Sequence, residues 1–364
     1  MTAWAACLYY KEKAPLKLIT AFAIIGFRVF SKQDMSSFIM SYQRSHQRQS
    51  VLIAIGGNAL YDKKSGDNVS EAMVEEVCKH IVATYRQGYL PVITFGNGPQ
   101  VGNLLDMAET SAKLFETPIP LDTCVAWTQG EIGYAISMAL SRQLRASDIN
   151  VPVVAVNTTV EVDPCDPAFE KPSKPVGRFI TMEEAQLLYE KRGWVVGPDA
   201  NRGYRRLVPS PRPKRILEAD AIAAMIGQGV IVLCCGGGGI PVGRNPETDA
   251  WQGLEAVIDK DYTSCLIAKT LGIENVIIST EVENVYLNFG GPDQQPLYRL
   301  TLAEARQYQN EGHFSAGSMG PKVAALMDYV EAGSGKARRA FITSLEKVQE
   351  ALMGKAGTEI YCGD

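Results

Sequence analysis

The run Val51-Leu52-Ile53-Ala54-Ile55 is five apolar residues without a polar interruption, and it stops against Gly56-Gly57-Asn58. A strand that is apolar on both faces must be covered on both, which is the situation of a buried parallel strand in an α/β sheet. Residues 68–86 then carry a helical period, with Val74, Val77, Cys78, Ile81, Val82 and Tyr85 on one face. Asn68 is the expected cap, Glu71 follows three residues later, and Gly88 is the expected stop. Residues 90–95 supply a second strand, and Gly96-Asn97-Gly98-Pro99-Gln100-Val101-Gly102 a second glycine turn. A strand–helix–strand unit of this length implies a right-handed crossover between parallel strands. Both glycine turns then fall at the carboxyl edge of the sheet, where open α/β sheets bind ligands. Glycines there let backbone N–H groups come close to an anion.

The α/β alternation continues. Helices are expected at residues 129–145, 216–227, 262–271, 302–309, 322–332 and 346–352, and strands at 151–156, 230–234, 256–258, 276–278, 340–343 and 357–361. The third and densest glycine turn, Gly236-Gly237-Gly238-Gly239, follows the strand at 230–234. It is neither a G-x-G-x-x-G dinucleotide fingerprint nor a P-loop, since the required helix and Lys-Ser/Thr pair are missing. Residues 163–213 break the alternation with prolines and short runs, which suggests a subdomain standing out from the sheet. Within it, Pro172-Ser173-Lys174-Pro175 stiffens the backbone around a lysine.

Two lysines sit where a helix dipole disfavours them. Lys260 lies between Asp259 and Asp261 at one expected helix start, and Lys322 follows Pro321, the expected first helical residue, at another. Either flanking carboxylates or a bound phosphate must offset such charges. Two of them beside three glycine turns point to phosphoryl transfer.

Composition limits the alternatives. The 364 residues are 46% hydrophobic and 21% charged, as in soluble globular chains long enough for two domains. A net charge of -4 argues against a nucleic-acid partner. The eight cysteines show no C-x-x-C spacing and sit mostly in apolar segments, which fits free thiols in a reducing, cytoplasmic setting. Residues 1–50 hold seven Lys/Arg against Glu12 and Asp34. Their apolar run at 18–27 is too short for a membrane span, so they read as an extension outside the fold, with organelle targeting as one use. Residues 41–50 read as a polar linker.

Long stretches of the chain resemble carbamate kinases, members of the amino acid kinase fold. The resemblance is carried by Ile55-Gly56-Gly57-Asn58-Ala59, the turn at 96–102, Pro120-Leu121-Asp122-Thr123-Cys124-Val125-Ala126, Thr128-Gln129-Gly130 and Lys174-Pro175-Val176-Gly177. Val208-Pro209-Ser210-Pro211 and the segments 235–241, 255–261 and 317–322 extend it to nearly the whole chain after residue 50. It implies a three-layer sandwich around a mainly parallel sheet, with two lobes and a protruding subdomain. The acceptor lobe would be residues 51–215, with the subdomain at about 163–207, and the nucleotide lobe residues 216–364. It also implies a homodimer with no membrane partner, the substrates carbamate and carbamoyl phosphate in arginine breakdown, ATP or ADP, and Mg2+ without confident protein ligands.

By the same resemblance Lys260 and Lys322 clamp the transferring phosphate, Asp261 orients Lys260, and Lys174 closes over the acceptor. Gly56, Gly57, Asn58, Gly96, Asn97, Gly98, Gly237 and Gly238 hold carbamate and phosphate, while Thr280, Val282, Tyr286, Gly317, Ser318 and Met319 join the two lysines at the nucleotide. Two departures stand out. Phe95 occupies a position where the family carries His, and Glu281 and Glu283-Asn284 replace an Asp and an Asp-Gly. Another enzyme of the fold, such as an acetylglutamate, glutamate or nucleoside monophosphate kinase, or a silent nucleotide sensor, are the competing readings.

Overall fold

The computed structural model describes residues 48–363 apart from 63–67, 112–118, 199–202, 316 and 334–337. The chain divides into residues 1–44 and 45–364, and every described residue belongs to the second unit. The expectations for the N-terminal extension therefore lie outside the described residues, except at its end. There the first strand begins at Gln49, inside the stretch read as linker.

An eight-stranded sheet forms the centre. From one edge to the other its strands are Arg299–Thr301, Thr358–Tyr361, Arg339–Thr343, Asn275–Ser279, Gln49–Ile55, Tyr89–Phe95, Ile231–Leu233 and Val153–Ala155. All neighbours are parallel except Thr358–Tyr361 against Arg339–Thr343. Alternate residues along each strand feed two separate cores. Leu52, Ala54, Val276, Ile278 and Ile342 pack on one face, beside Ile222, Ile267 and Leu326 from helices. Val51, Ile53, Ile55, Ile277 and Phe341 pack on the other, beside Val77, Ile81, Ile132 and Ile136. This is the layered arrangement that unbroken apolar strands require.

Several local expectations give way to tertiary context. The helix Glu71–Arg86 is preceded by Ser70 rather than by Asn68, whose side chain bonds Glu131 instead. The turn at 96–102 is mostly helix: Gly98–Ser111 starts directly after Asn97. Residues 256–258, expected as a strand, lead into the cap Asp259 without joining a sheet. Pro321 is the third residue of Met319–Glu331, not its first, which the helix tolerates because an N–H there has no intrahelical acceptor anyway. The helix Leu121–Ala146 is eight residues longer at its start than the apolar period alone indicated.

The aperiodic stretch is itself folded. Lys174–Ile180, Tyr204–Val208 and Val196–Pro198 form a small antiparallel sheet with the helix Met182–Arg192 attached. A third apolar cluster, including Val101, Leu105, Val125, Val176, Val208 and Val257, joins this sheet to the body. At its centre a Cβ on Gly102 would lie 2.8 Å from the Gly177 Cα, so the helix and the small sheet meet backbone to backbone.

Of the cysteines, Cys78, Cys124, Cys234, Cys235 and Cys265 are buried free thiols, while Cys165 and Cys362 are free and exposed.

Candidate active site

The three glycine turns and both lysine-bearing helix starts meet at one edge of the sheet. The Gly56, Gly96 and Gly236 turns follow the carboxyl ends of three adjacent parallel strands. The helix Lys260–Leu271 runs back to the start of Asn275–Ser279, and Met319–Glu331 back to Arg339–Thr343. Their N-termini therefore open at the same carboxyl edge.

Asp261 joins the two lysines. Its Oδ1 accepts from Lys260 Nζ at 2.5 Å and its Oδ2 from Lys322 Nζ at 2.9 Å. The carboxylate side chain is only 4% exposed, and the lysine side chains 13% and 15%. Burial alone would raise the Asp261 carboxyl, but the two ammonium groups overcome it and hold the group well below the usual carboxylate range. Burial lowers Lys260 from the ordinary lysine range despite its bond to Asp261, with the like charge of Lys322 adding to the effect. Lys322, also opposed by burial, is raised by Asp261. An acid so held cannot serve as a base, so Asp261 orients and neutralises.

Asp259 caps the Lys260 helix through Asp261 N–H to Oδ1, 2.9 Å, and its Oδ2 accepts from Lys174 Nζ at 3.1 Å. Lys174 also reaches the Ile258 carbonyl at 3.3 Å. The lysine of the small sheet is thus tied to the helix turn that carries Lys260. Three cations (Lys174, Lys260, Lys322) share two carboxylates, and the cluster is left with a net positive charge.

The glycine turns close around it by steric necessity. A Cβ on Gly96 would lie 2.9 Å from Gly57 N and 3.1 Å from Lys260 Cδ, and one on Gly57 2.9 Å from Gly98 N. In the four-glycine turn, added Cβ atoms would lie 2.4 Å from the Phe95 ring at Gly236, 2.2 Å from Asn97 Nδ2 at Gly237, 2.3 Å from Ile258 O at Gly238 and 2.2 Å from Val160 Cγ2 at Gly239. Every one of the four is a close approach. Phe95, at the position noted as a departure from the family's His, is a 2% exposed core side chain packed beneath Gly236.

The donors are distributed unevenly. Gly57 and Asn58 open the short helical turn Gly57–Leu60 and Gly98 opens Gly98–Ser111, so their N–H groups have no intrahelical acceptors. The Gly96 N–H, expected among the donors, is spent on Ile55 O at 2.9 Å, and that of Gly238 on Cys235 O at 3.1 Å. At the Lys322 helix, Ser315 takes the N–H groups of Ser318, Met319 and Gly320. That helix contributes a charged side chain rather than backbone donors.

Against known proteins, residues 49–344 match the model of the amino acid kinase family. Carbamate kinase 2 of Enterococcus faecalis is 44% identical over 309 residues, covering 85% of this chain and 97% of that protein. The carbamate kinase of Thermococcus kodakarensis is 43% identical, covering 85% and 98%. The chain belongs to the carbamate kinase branch of the amino acid kinase family. Solved structures agree with that placement: carbamate kinase from Giardia lamblia bound to citric acid superposes with a TM-score of 0.80 at 39% identity, covering 87% of this chain and all of that one. The same Giardia protein bound to AMP-PNP gives 0.79 at 40%, with the same coverage.

In this carbamate kinase family member, the residues expected at the nucleotide fall into two groups. Thr280 follows the strand beside Gln49–Ile55 and donates its N–H to Thr343 O at 2.9 Å. Val282 is half-buried, and Tyr286, in a hairpin with Gln295–Leu297, stacks at a tilt on Phe289. Gly317 and Ser318 are exposed and Met319 is half-buried at the start of the Lys322 helix. Among the described residues no hydrogen bond joins the two groups. Glu281 instead reaches across to Asn58, whose Nδ2 donates to Oε1 at 3.4 Å.

Two residues of the Thr128-Gln129-Gly130 motif act where sequence assigned them no role. Thr128 accepts from Asn97 Nδ2 at 2.9 Å. Buried Gln129 donates to Gly236 O and Thr158 O and accepts from Thr158 N, so one helix holds two glycine turns. Their signal was a Thr-Gln pair inside an apolar helix, where neither residue is expected without partners. Among the described residues no three His, Cys, Asp or Glu side chains converge as a metal site, and no helix is long and apolar enough to cross a membrane.

Proposed function

We propose that the chain catalyses reversible phosphoryl transfer between ATP and carbamate, forming ADP and carbamoyl phosphate. The observation that carries this reading is the single buried carboxylate bridging Lys260 and Lys322 beside three glycine turns. A transferring phosphoryl group spreads its charge over equatorial oxygens, so positioned cations and N–H groups supply most of the catalysis. Lys260 and Lys322, held apart by the two oxygens of Asp261, flank the place such a group would take. Gly57, Asn58, Asn97 and Gly98 lie on the acceptor side of it, with Gly56 and Gly96 shaping the turns and Gly237 and Gly238 closing the floor. Thr280, Val282, Tyr286, Gly317, Ser318 and Met319 take the nucleotide side. The carbamate oxygen is already anionic and needs no base, consistent with an Asp261 locked in its charged form. Several relatives above 40% identity bear the carbamate kinase name, which favours this acceptor over acetylglutamate, glutamate or a nucleotide, and favours turnover over silent sensing.

Mg2+, entering with the nucleotide, would supply neutralisation of the charge on the phosphate oxygens. The donor set fits an ion held chiefly by those oxygens and water, since Asp259 and Asp261 are both committed to lysines. The deciding assay is ATP formation from ADP and carbamoyl phosphate by purified protein; no ATP above the uncatalysed background defeats the proposal.

Lys174 acts as the lid residue, its ammonium keeping Asp259 and exchanging the longer contact to the Ile258 carbonyl for the acceptor anion. Lys174→Ala is expected to raise KM for carbamoyl phosphate by about tenfold, as for loss of one charged hydrogen bond, with a smaller change for ADP. Equal shifts in both constants contradict the assignment.

A homodimer completes the proposal. Trp127, Tyr134 and Met138 are 47%, 68% and 54% exposed on the helix Leu121–Ala146, and spacings of seven and four put them on one stripe. Val154 is exposed on the neighbouring edge strand. A second copy of this surface is the natural cover. Sedimentation should give twice the chain mass for the wild type and a monomer for Trp127→Glu/Tyr134→Glu; a monomeric wild type removes this part. Buried free thiols support a reducing, cytoplasmic location.

A further inference from the structure

The cations and N–H groups gathered at the Gly57 turn all donate, which suits anionic oxygens. Carbamate and carbamoyl phosphate also carry an amino group, itself a donor, and it needs an acceptor. Asp259 and Asp261 are occupied by lysines. Gln100, third residue of Gly98–Ser111, is 0% exposed. Its Nε2 donates to Asn68 O at 3.1 Å and to Gly57 O at 3.5 Å. Those two carbonyls set the orientation of the amide and leave Oε1 sealed from solvent, with no hydrogen-bond partner among the described residues. A buried carbonyl without a donor is a standing cost that an N–H recovers. Because the other end of the same planar amide touches Gly57, Oε1 lies beside the acceptor turn. The 3.5 Å bond to Gly57 is at the long limit, and a ligand settling under the turn displaces it at little cost.

We propose that Gln100 Oε1 accepts a hydrogen bond from the amino group of carbamate or carbamoyl phosphate, and so distinguishes a carbamoyl from an acetyl group. The inference rests on the carbamate kinase reading of the site. Acetyl phosphate presents a methyl where carbamoyl phosphate presents the amino group, and the transferred unit is the same. In both cases a new P–O bond forms to the terminal phosphate oxygen of ADP while the P–O bond to the acyl oxygen breaks. The electron pair stays on that oxygen as carbamate or acetate.

The test compares kcat/KM for ATP formation from the two phosphates. Wild type should favour carbamoyl phosphate, and Gln100→Met should reduce that preference by about ten- to a hundredfold, the scale of one lost hydrogen bond in a closed site. An unchanged ratio, or an equal fall with both phosphates, overturns the inference, because Gln100 would then only support the turn. Gln100→Glu retains an acceptor oxygen and loses the donor, so both rates should drop while the preference survives; loss of the preference in this variant also overturns it. A wild-type protein that makes no ATP from carbamoyl phosphate sinks the kinase reading itself, which differs from an active enzyme indifferent to residue 100.

Discussion

Lys260→Ala and Lys322→Ala are each expected to lower kcat for ATP formation by about a hundred- to a thousandfold, the usual scale for removing one preorganised group at a developing charge. Each side chain is mostly buried and aimed at one carboxylate, so a flexible surface lysine cannot substitute. Circular dichroism should remain native in both variants, since each leaves Asp261 one cationic partner. The two lysines should also differ with pH. Burial lowers Lys260 while Asp261 raises Lys322, so as pH rises Lys260 loses its proton first. The wild-type kcat should therefore decline on the alkaline side below the ordinary lysine range. Near-wild-type turnover in both alanine variants would remove the clamp.

Asp261→Asn carries the largest stability effect. Two buried ammonium groups would face a neutral amide, and breaking a buried ion pair from one side costs about 3–5 kcal/mol. For a domain of this size that corresponds to a fall in Tm of about 4–8 °C by calorimetry. The pH dependence has a definite sign. The folded carboxyl is depressed, so its stabilisation is present above the unfolded carboxylate value and lost as pH falls through the folded one. Wild type and variant should differ fully at neutral pH and converge only in strong acid. Equal Tm values at neutral pH would show that the lysines do not depend on this carboxylate.

Much of the site was legible because short-range chemistry carried it. Apolar pentads that end in glycine mark buried strands with open turns, and Lys260 and Lys322 announce themselves by opposing a helix dipole. Where the reading failed, the deciding partner lay far along the chain. Gly98-Pro99 looks like a turn, yet a helix starts there, and its Gly102 is explained only by the Gly177 backbone it touches. Asn68 is a better cap by composition than by position, because Glu131 and Asn103 hold its side chain elsewhere. Residues 163–213 look aperiodic because their small sheet is covered by a helix distant in sequence, through Val101 and Leu105. Gln100, Thr128 and Gln129 are only letters of longer motifs in the sequence, and their hydrogen bonds to distant segments give them roles.

From sequence alone came the α/β class, the carboxyl-edge location of the glycine turns, the family and the two cations that any anion would meet. All of these depend on periodicity, backbone freedom or charge within a few residues. The tertiary structure decided that both cations share Asp261, that Lys174 is delivered to Asp259, and that Phe95, Asn97, Ile258 and Val160 leave no space for a side chain at 236–239. Those facts require distant segments to meet, 141 positions apart for Phe95 and Gly236 and 85 for Lys174 and Asp259, and such meetings are set by packing against two cores rather than by any local preference.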